Sequence, residues 1–62
     1  MDYFELGYNL FDEDPELILA EVWRRAAKLT ESKDYQNEFV SGYVSARLKH
    51  DDYIREHKQS WS

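Results

Sequence analysis

The sequence predicts an all-α fold, or one that is nearly so, in the form of an antiparallel αα-hairpin. Residues 14–31 and residues 33–60 each place apolar side chains at helical spacing, and a short polar turn separates the two segments. The chain has 62 residues, so we expect residues 1–62 to form one small domain whose limited core gives marginal stability. An aromatic and acidic N-terminal segment, residues 1–13, precedes the predicted hairpin.

Alternation of apolar residues in the N-terminal segment is typical of a β-strand. The alternate positions hold Phe4, Leu6, Tyr8 and Leu10. A helix is disfavoured here because Gly7 would lie in its middle. No second strand candidate follows, so a lone strand would pair with a second copy of the chain or with a partner's sheet. The remaining alternative is an irregular segment whose aromatic side chains pack on the helices and cover the far end of the second one, from His50 onward.

The first predicted helix spans residues 14–31. Asp14 suits the N-cap position because its carboxylate accepts a backbone N–H of the first turn, and Pro15 suits the first helical position. Acidic residues lie near the predicted start and basic residues near the end, which complements the helix dipole. Apolar side chains fill an arc of about 200°, which is wider than the stripe of a surface helix. We therefore expect neighbouring elements to cover this helix on two sides.

The second predicted helix spans residues 33–60 and carries an apolar stripe that continues to the C-terminus. A break at residues 50–52 is the alternative, because an aspartate there would cap a third short helix. Gly42 lies inside this helix at a cost of up to about 1 kcal/mol relative to alanine. The expected compensation is a close helix crossing, in which Gly42 meets the small residues Ala26 and Ala27 of the first helix.

Charge is distributed unevenly along the chain. The net charge is −5, and residues 1–22 carry seven acidic residues and no basic one. Phosphate contacts need clustered Lys and Arg, so direct nucleic-acid binding is not expected. The acidic end instead favours a protein partner with a basic surface. We expect the partner to contact Tyr3, Glu5, Tyr8, Asp12, Glu13, Asp14 and Glu16. A narrower apolar row on the second helix is a secondary candidate contact and consists of Val40, Val44 and Leu48.

The residues argue against an enzyme and against a cofactor. No cysteine is present, so the chain has neither a disulfide framework nor a thiolate metal site. His50 and His57 lack the further ligands that a metal site requires, so we expect no metal. The serine residues lack a base with an orienting partner, so no catalytic residue is expected. An acidic N-terminus without an apolar signal segment, and the absence of a long apolar run, predict a cytoplasmic protein that does not contact a membrane.

The order of a strand and two helices resembles the ribbon–helix–helix repressors and antitoxins. The candidate strand would span residues 3–10, and the helices would begin near Pro15 and Lys33. The resemblance implies a dimer whose paired strands contact DNA, although this segment carries Asp2 and Glu5 and no Lys or Arg. In size and acidity the chain also resembles small phage inhibitors of host systems, such as anti-restriction and anti-CRISPR proteins. That second resemblance implies carboxylates that take the place of nucleic-acid phosphates.

The predicted function is accordingly that of a small acidic protein–protein interaction module. It would act as a nucleic-acid mimic that inhibits or adapts a nucleic-acid-binding partner. A ribbon–helix–helix-like dimeric regulator or antitoxin is one alternative, and a structural subunit of a larger assembly is another. A homodimer is compatible with the sequence.

Overall fold

The computed structural model describes the backbone of residues 2–59 and the side chains of residues 2–52. This part of the chain forms three α-helices and no strand: α1 (Tyr3–Glu13), α2 (Leu19–Leu29) and α3 (Lys33–Gln59). The expectation of an all-α fold is confirmed. Both α1 and α2 pack on α3, which is the longest helix and the centre of the fold.

The N-terminal segment is a helix, which corrects the expectation of a lone strand or an irregular segment. Asp2 caps this helix, since its Oδ1 accepts the backbone N–H of Phe4 at 3.0 Å. A helix satisfies its backbone hydrogen bonds internally, whereas a lone strand leaves them unpaired. The helix also places Gly7 and Phe11 on one face, where both are buried against α3.

The start of α2 differs from the predicted start. Asp14 ends α1 rather than capping α2, because its backbone N–H donates to the carbonyl oxygen of Leu10 at 2.8 Å. Pro15 follows directly, and proline commonly follows a helix end because it cannot continue the helix. α2 begins only at Leu19, and its N-cap residue makes no side-chain hydrogen bond to the helix. The helix predicted over residues 14–31 is therefore shorter, and most of the difference lies at its start.

α3 begins at Lys33, as the second predicted helix does, and runs without a break to Gln59. The alternative of a break at residues 50–52 is thus not observed. The ring of His50 packs against Phe11 of α1, with centroids 5.6 Å apart, so an N-terminal aromatic residue does cover α3 at this point. The side chains that follow residue 52 lie outside the described part of the chain.

The core lies where α1 and α2 meet α3. Its buried residues are Phe11, Val22, Ala26, Phe39, Val40, Tyr43 and Ala46. Tyr43 is fully buried, and its ring packs edge-on against Phe11 with centroids 5.5 Å apart. Its hydroxyl donates to the carbonyl oxygen of Asp14 at 2.9 Å and accepts the backbone N–H of Leu17 at 3.1 Å. This hydroxyl therefore fixes the turn between α1 and α2 from inside the core.

The contacts along α3 define the direction of the other two helices. α1 runs parallel to α3, because Tyr3 stacks on Tyr35 near the start of both helices, with centroids 4.9 Å apart, and the end of α1 lies beside Tyr43. α2 runs back along α3, because the turn before α2 is bound to Tyr43, whereas the carbonyl oxygen of Thr30, just after its end, accepts a hydrogen bond from the side chain of Gln36 at 2.9 Å near the start of α3.

Two glycines allow the backbones of α1 and α3 to approach closely. A methyl group on Gly42 would overlap the carbonyl oxygen of Phe4 and lie 3.0 Å from the amide nitrogen of Tyr8. A methyl group on Gly7 would overlap the carbonyl oxygen of Phe39 and lie 2.7 Å from its carbonyl carbon. Gly42 therefore lies at a tight helix crossing, as predicted. The element that it meets is α1, and not the alanine residues of the first predicted helix, because α1 is a helix that packs along this face of α3.

Candidate protein-binding surfaces

One side of α1 is acidic and exposed, and two of its residues, Asp12 and Glu13, line cavities that α1 shares with α3. Four exposed residues form it, and we name them the acidic face: Asp2, Glu5, Asp12 and Glu13. They lie on the side opposite Gly7, because successive side chains on a helix are rotated by about 100°. Within residues 2–52, none of the four forms an ion pair with another side chain. Their carboxylates are therefore available to a partner.

The acidic face carries its charges in two groups, one at each end of α1. At about 1.5 Å of rise per residue, Asp2 and Glu5 are about 4.5 Å apart along the axis, and about 10 Å separate Glu5 from the adjacent Asp12 and Glu13. One strand of B-DNA carries a phosphate about every 3.4 Å. The acidic face therefore offers a basic partner two local contacts and does not reproduce the regular spacing of a nucleic-acid strand.

The two other acidic residues of the predicted contact lie in the turn after α1. Glu16 is exposed, whereas Asp14 is partly buried. A carboxylate oxygen of Asp14 lies 3.9 Å from a guanidinium nitrogen of Arg25 in α2. Both side chains are about half exposed, so water screens this long ion pair and it contributes little to stability. Glu16 lies beside α3, where it lines a cavity with Arg47 and His50, and Asp14 is partly occupied within the fold.

The two predicted contact tyrosines lie at the edges of α1 rather than on the acidic face. Tyr3 and Tyr8 are both partly buried. Tyr3 stacks on Tyr35, and the ring of Tyr8 lies 6.4 Å from that of Phe4. Phe4 and Tyr35 remain 40% and 49% exposed. Phe4 and Tyr8 therefore form an aromatic edge beside the acidic face, whereas Tyr3 lies apart from it against Tyr35.

The secondary row predicted on the second helix does not form one exposed surface. Val40 is a core residue with 7% exposure, and Val44 is partly buried against the core. Leu48 is exposed to 60%. Residues four apart on a helix differ by about 40° in direction, so the row turns from the core at Val40 to solvent at Leu48. Val40 is thus corrected from a candidate contact to a structural residue.

A cleft between α1 and α2 is the main surface feature that sequence reasoning missed. It has a volume of about 490 Å³. Its lining consists of Leu6, Asn9, Leu10, Glu13, Arg25, Lys28, Leu29 and Phe39. The spacing of Leu6 and Leu10, one helical turn apart, is the sequence pattern that indicates it. That pattern becomes visible only when residues 3–13 are recognised as a helix.

In the part of the chain that the structure describes, no group of three or more His, Cys, Asp or Glu side chains is placed to hold a metal ion. Of the helices described, none combines the length and apolar character needed to cross a membrane. Comparison of the sequence and structure with protein-family models, curated proteins and solved structures finds no match.

Proposed function

We propose that the chain is a small protein-binding module that inhibits or adapts a partner with a basic, nucleic-acid-binding surface. The acidic face of α1 is its contact surface. One observation carries the proposal: the carboxylates of the acidic face are exposed on a single helix, and none has a cationic partner among the described side chains.

Electrostatics explain why such a face favours a basic partner. Asp2 and Glu5 are the one pair on the acidic face that is three or four residues apart, so repulsion within the free helix is small. Asp12 and Glu13 lie at the negative end of the helix dipole, where cations supplied by a partner stabilise them. Charges of this kind mainly raise the association rate and select the partner.

The aromatic edge supplies apolar contact area, which the carboxylates lack. Exposed ion pairs are worth about 1 kcal/mol or less each, so carboxylates alone give weak binding. Phe4 and Tyr8 lie one turn apart on the side of α1 that adjoins Asp12, and Phe4 is 40% exposed; aromatic side chains are common anchors of protein interfaces. A contact that covers both features combines charge selection with apolar burial.

The structure bears differently on the two alternative functions, a ribbon–helix–helix regulator and a structural subunit. A ribbon–helix–helix regulator needs a strand at residues 3–10, and this segment is helical, so that alternative loses its DNA-contacting element. A structural subunit remains the second candidate because Ile18 and Leu48 are 69% and 60% exposed. A second chain would cover these side chains if they belong to one contiguous apolar patch, since single exposed apolar residues are ordinary.

The proposal is tested by affinity capture from a lysate of the organism that encodes the chain. A C-terminally tagged chain is washed at low and at high salt, and the retained proteins are identified by mass spectrometry. The test variant carries Glu5→Gln and Asp12→Asn on the acidic face. The control variant carries Glu31→Gln and Glu38→Gln, which remove the same charge from exposed positions outside it.

We expect the wild-type chain and the control variant to retain a nucleic-acid-binding protein at low salt and to release it at high salt, because salt screens exposed charges. The acidic-face variant should not retain it. Equal retention by both variants would contradict the proposal. Retention that withstands high salt would favour the structural subunit and its apolar contacts.

A further inference from the structure

The three helices leave one side of the bundle open. In the described chain, no Cα atom of α1 lies within 8 Å of a Cα atom of α2, although both helices pack on α3. Helices in direct contact have axes about 8–10 Å apart, so α1 and α2 are separated by a groove and not packed together. The cleft occupies this groove, and Phe39 of α3 lines it from below.

The interior of the cleft is apolar. Leu6 and Leu10 of α1 line one wall, and Leu29 of α2 lines the other. Leu29 is 51% exposed, so its side chain is incompletely covered in the free chain. The volume of about 490 Å³ lies within the range of about 300–1,000 Å³ that is usual for ligand pockets. The cleft therefore offers apolar area that an occupant would bury.

The two rims of the cleft carry opposite charge. Arg25 and Lys28 stand on the α2 rim, whereas Glu13 and the neutral Asn9 stand on the α1 rim. Lys28 forms no ion pair within residues 2–52, and the only ion pair of Arg25 there is the 3.9 Å contact with an aspartate of the preceding turn. An occupant that matches both rims has acidic groups on one flank and basic groups on the other.

We propose that the cleft binds an amphipathic α-helix of a partner protein. Apolar side chains spaced by three or four residues would enter the cleft between Leu10 and Leu29, and acidic residues on one flank would meet Arg25 and Lys28. Such a helix occupies the fourth position of a four-helix bundle and rests in a groove between two helices, which is a common mode of peptide recognition. A nucleic acid does not fit this site, because leucines line it and Glu13 would repel phosphates. The inference does not depend on Glu5 and Asp12 of the acidic face, whereas Glu13 belongs to both surfaces.

The test uses a synthetic helical peptide of about 18 residues, which is about five turns. It carries leucines at helical spacing, glutamates on the flank that would face α2 and lysines on the opposite flank. The peptide is titrated into the isotope-labelled full chain, and amide chemical shifts are followed by NMR. We expect saturable shifts at Leu6, Leu10, Leu29 and Phe39.

Reversing one charge on the α2 rim tests the proposed contact with the glutamates of the peptide. Lys28→Glu should weaken binding by about tenfold or more, because a rim cation is replaced by a charge that repels the glutamate flank. A second peptide, with lysines in place of those glutamates, should recover the affinity for that variant. Lys33→Glu makes the same charge change at an exposed position outside the cleft and should leave both affinities unchanged.

Three outcomes would overturn the inference. The first is the absence of saturable shifts at millimolar peptide, and the second is shifts that map away from the cleft. The third is shifts of the cleft residues that depend on chain concentration without peptide, since these would assign the cleft to a second copy. The variant with Glu5→Gln and Asp12→Asn should still bind the peptide, so a failure here is distinct from a failure of the proposed function.

Discussion

The glycine at the crossing of α1 and α3 gives the most direct test of the fold. The change Gly42→Ala adds one methyl group and removes nothing. In an exposed helix this change stabilises by about 1 kcal/mol, because alanine is the better helix former. Here the methyl group would overlap the carbonyl oxygen of Phe4 and lie 2.9 Å from its carbonyl carbon. The obstacle is backbone, which cannot rotate away, so α1 has to move outward.

The size of the effect follows from this movement. A gap of about 0.5–1 Å costs a quarter to a half of each dispersion contact along the interface, and overpacking of a core typically costs about 1–3 kcal/mol. The cost of adding a methyl group at this crossing should lie at or above the upper end of this range, at about 3 kcal/mol. Subtracting the gain of about 1 kcal/mol from the better helix propensity of alanine leaves a net loss of about 2 kcal/mol. A chain of this length has a total stability of about 3–9 kcal/mol. Gly42→Ala should therefore lower the melting temperature by roughly 8–16 °C.

The assay is thermal and urea unfolding followed by far-ultraviolet circular dichroism. Ser41→Ala is the control, because Ser41 is the exposed neighbour of Gly42 on α3 and reports the helix-propensity gain without the crossing. Its melting temperature should be unchanged or slightly raised. If Gly42→Ala behaves like this control, α1 does not pack on α3 at Gly42, and the described crossing is wrong.

Four other substitutions test the remaining parts of the fold by the same unfolding assay. Tyr43→Phe should cost about 1–3 kcal/mol, because it leaves the N–H and carbonyl groups of the turn before α2 without their partner; an unchanged stability would show that the hydroxyl does not hold this turn. Asp2→Ala should cost about 1 kcal/mol as the N-cap of α1 is lost, and no change would argue against a helix that begins there. Val40→Ala should cost about 2 kcal/mol because Val40 is buried, whereas Leu48→Ala should cost less than about 0.5 kcal/mol. A larger loss of stability for Leu48→Ala than for Val40→Ala would contradict the burial of Val40 in the core.

The helical class follows from the sequence because the apolar stripes of α2 and α3 have a clear helical period. The N-terminal segment is different, since its pattern fits a strand locally and Gly7 argues against a helix. What offsets the cost of Gly7 is its approach to the backbone of Phe39, which lies 32 positions further along the chain. No local pattern carries that information.

The predicted start of α2 was wrong because residues 3–13 were not recognised as a helix. An aspartate followed by proline marks a helix boundary, but the pair Asp14 and Pro15 suits the end of one helix as well as the start of the next. The choice depends on whether the preceding residues are helical. Once α1 forms, Asp14 is needed as its last hydrogen-bonding residue, and α2 begins at Leu19 instead.

The acidic face and the cleft differ in how far the sequence predicts them. Composition identifies the acidic residues, and the structure leaves most of them exposed. Their arrangement on one face requires the helix α1. The cleft requires more, because its walls belong to α1 and α2 and its floor to α3. A surface shared by three elements cannot be inferred from the period of any one of them.

The central claim is that the acidic face of α1 binds a basic protein surface. The most direct measurement is the affinity of the captured partner, once purified, for the wild-type chain, for the variant with Glu5→Gln and Asp12→Asn, and for the control variant with Glu31→Gln and Glu38→Gln. We predict about tenfold weaker binding for the acidic-face variant, since each lost exposed pair is worth up to about 1 kcal/mol, and a shallower fall of its affinity with salt. The control variant should match the wild type. Equal affinities for all three chains would contradict the claim.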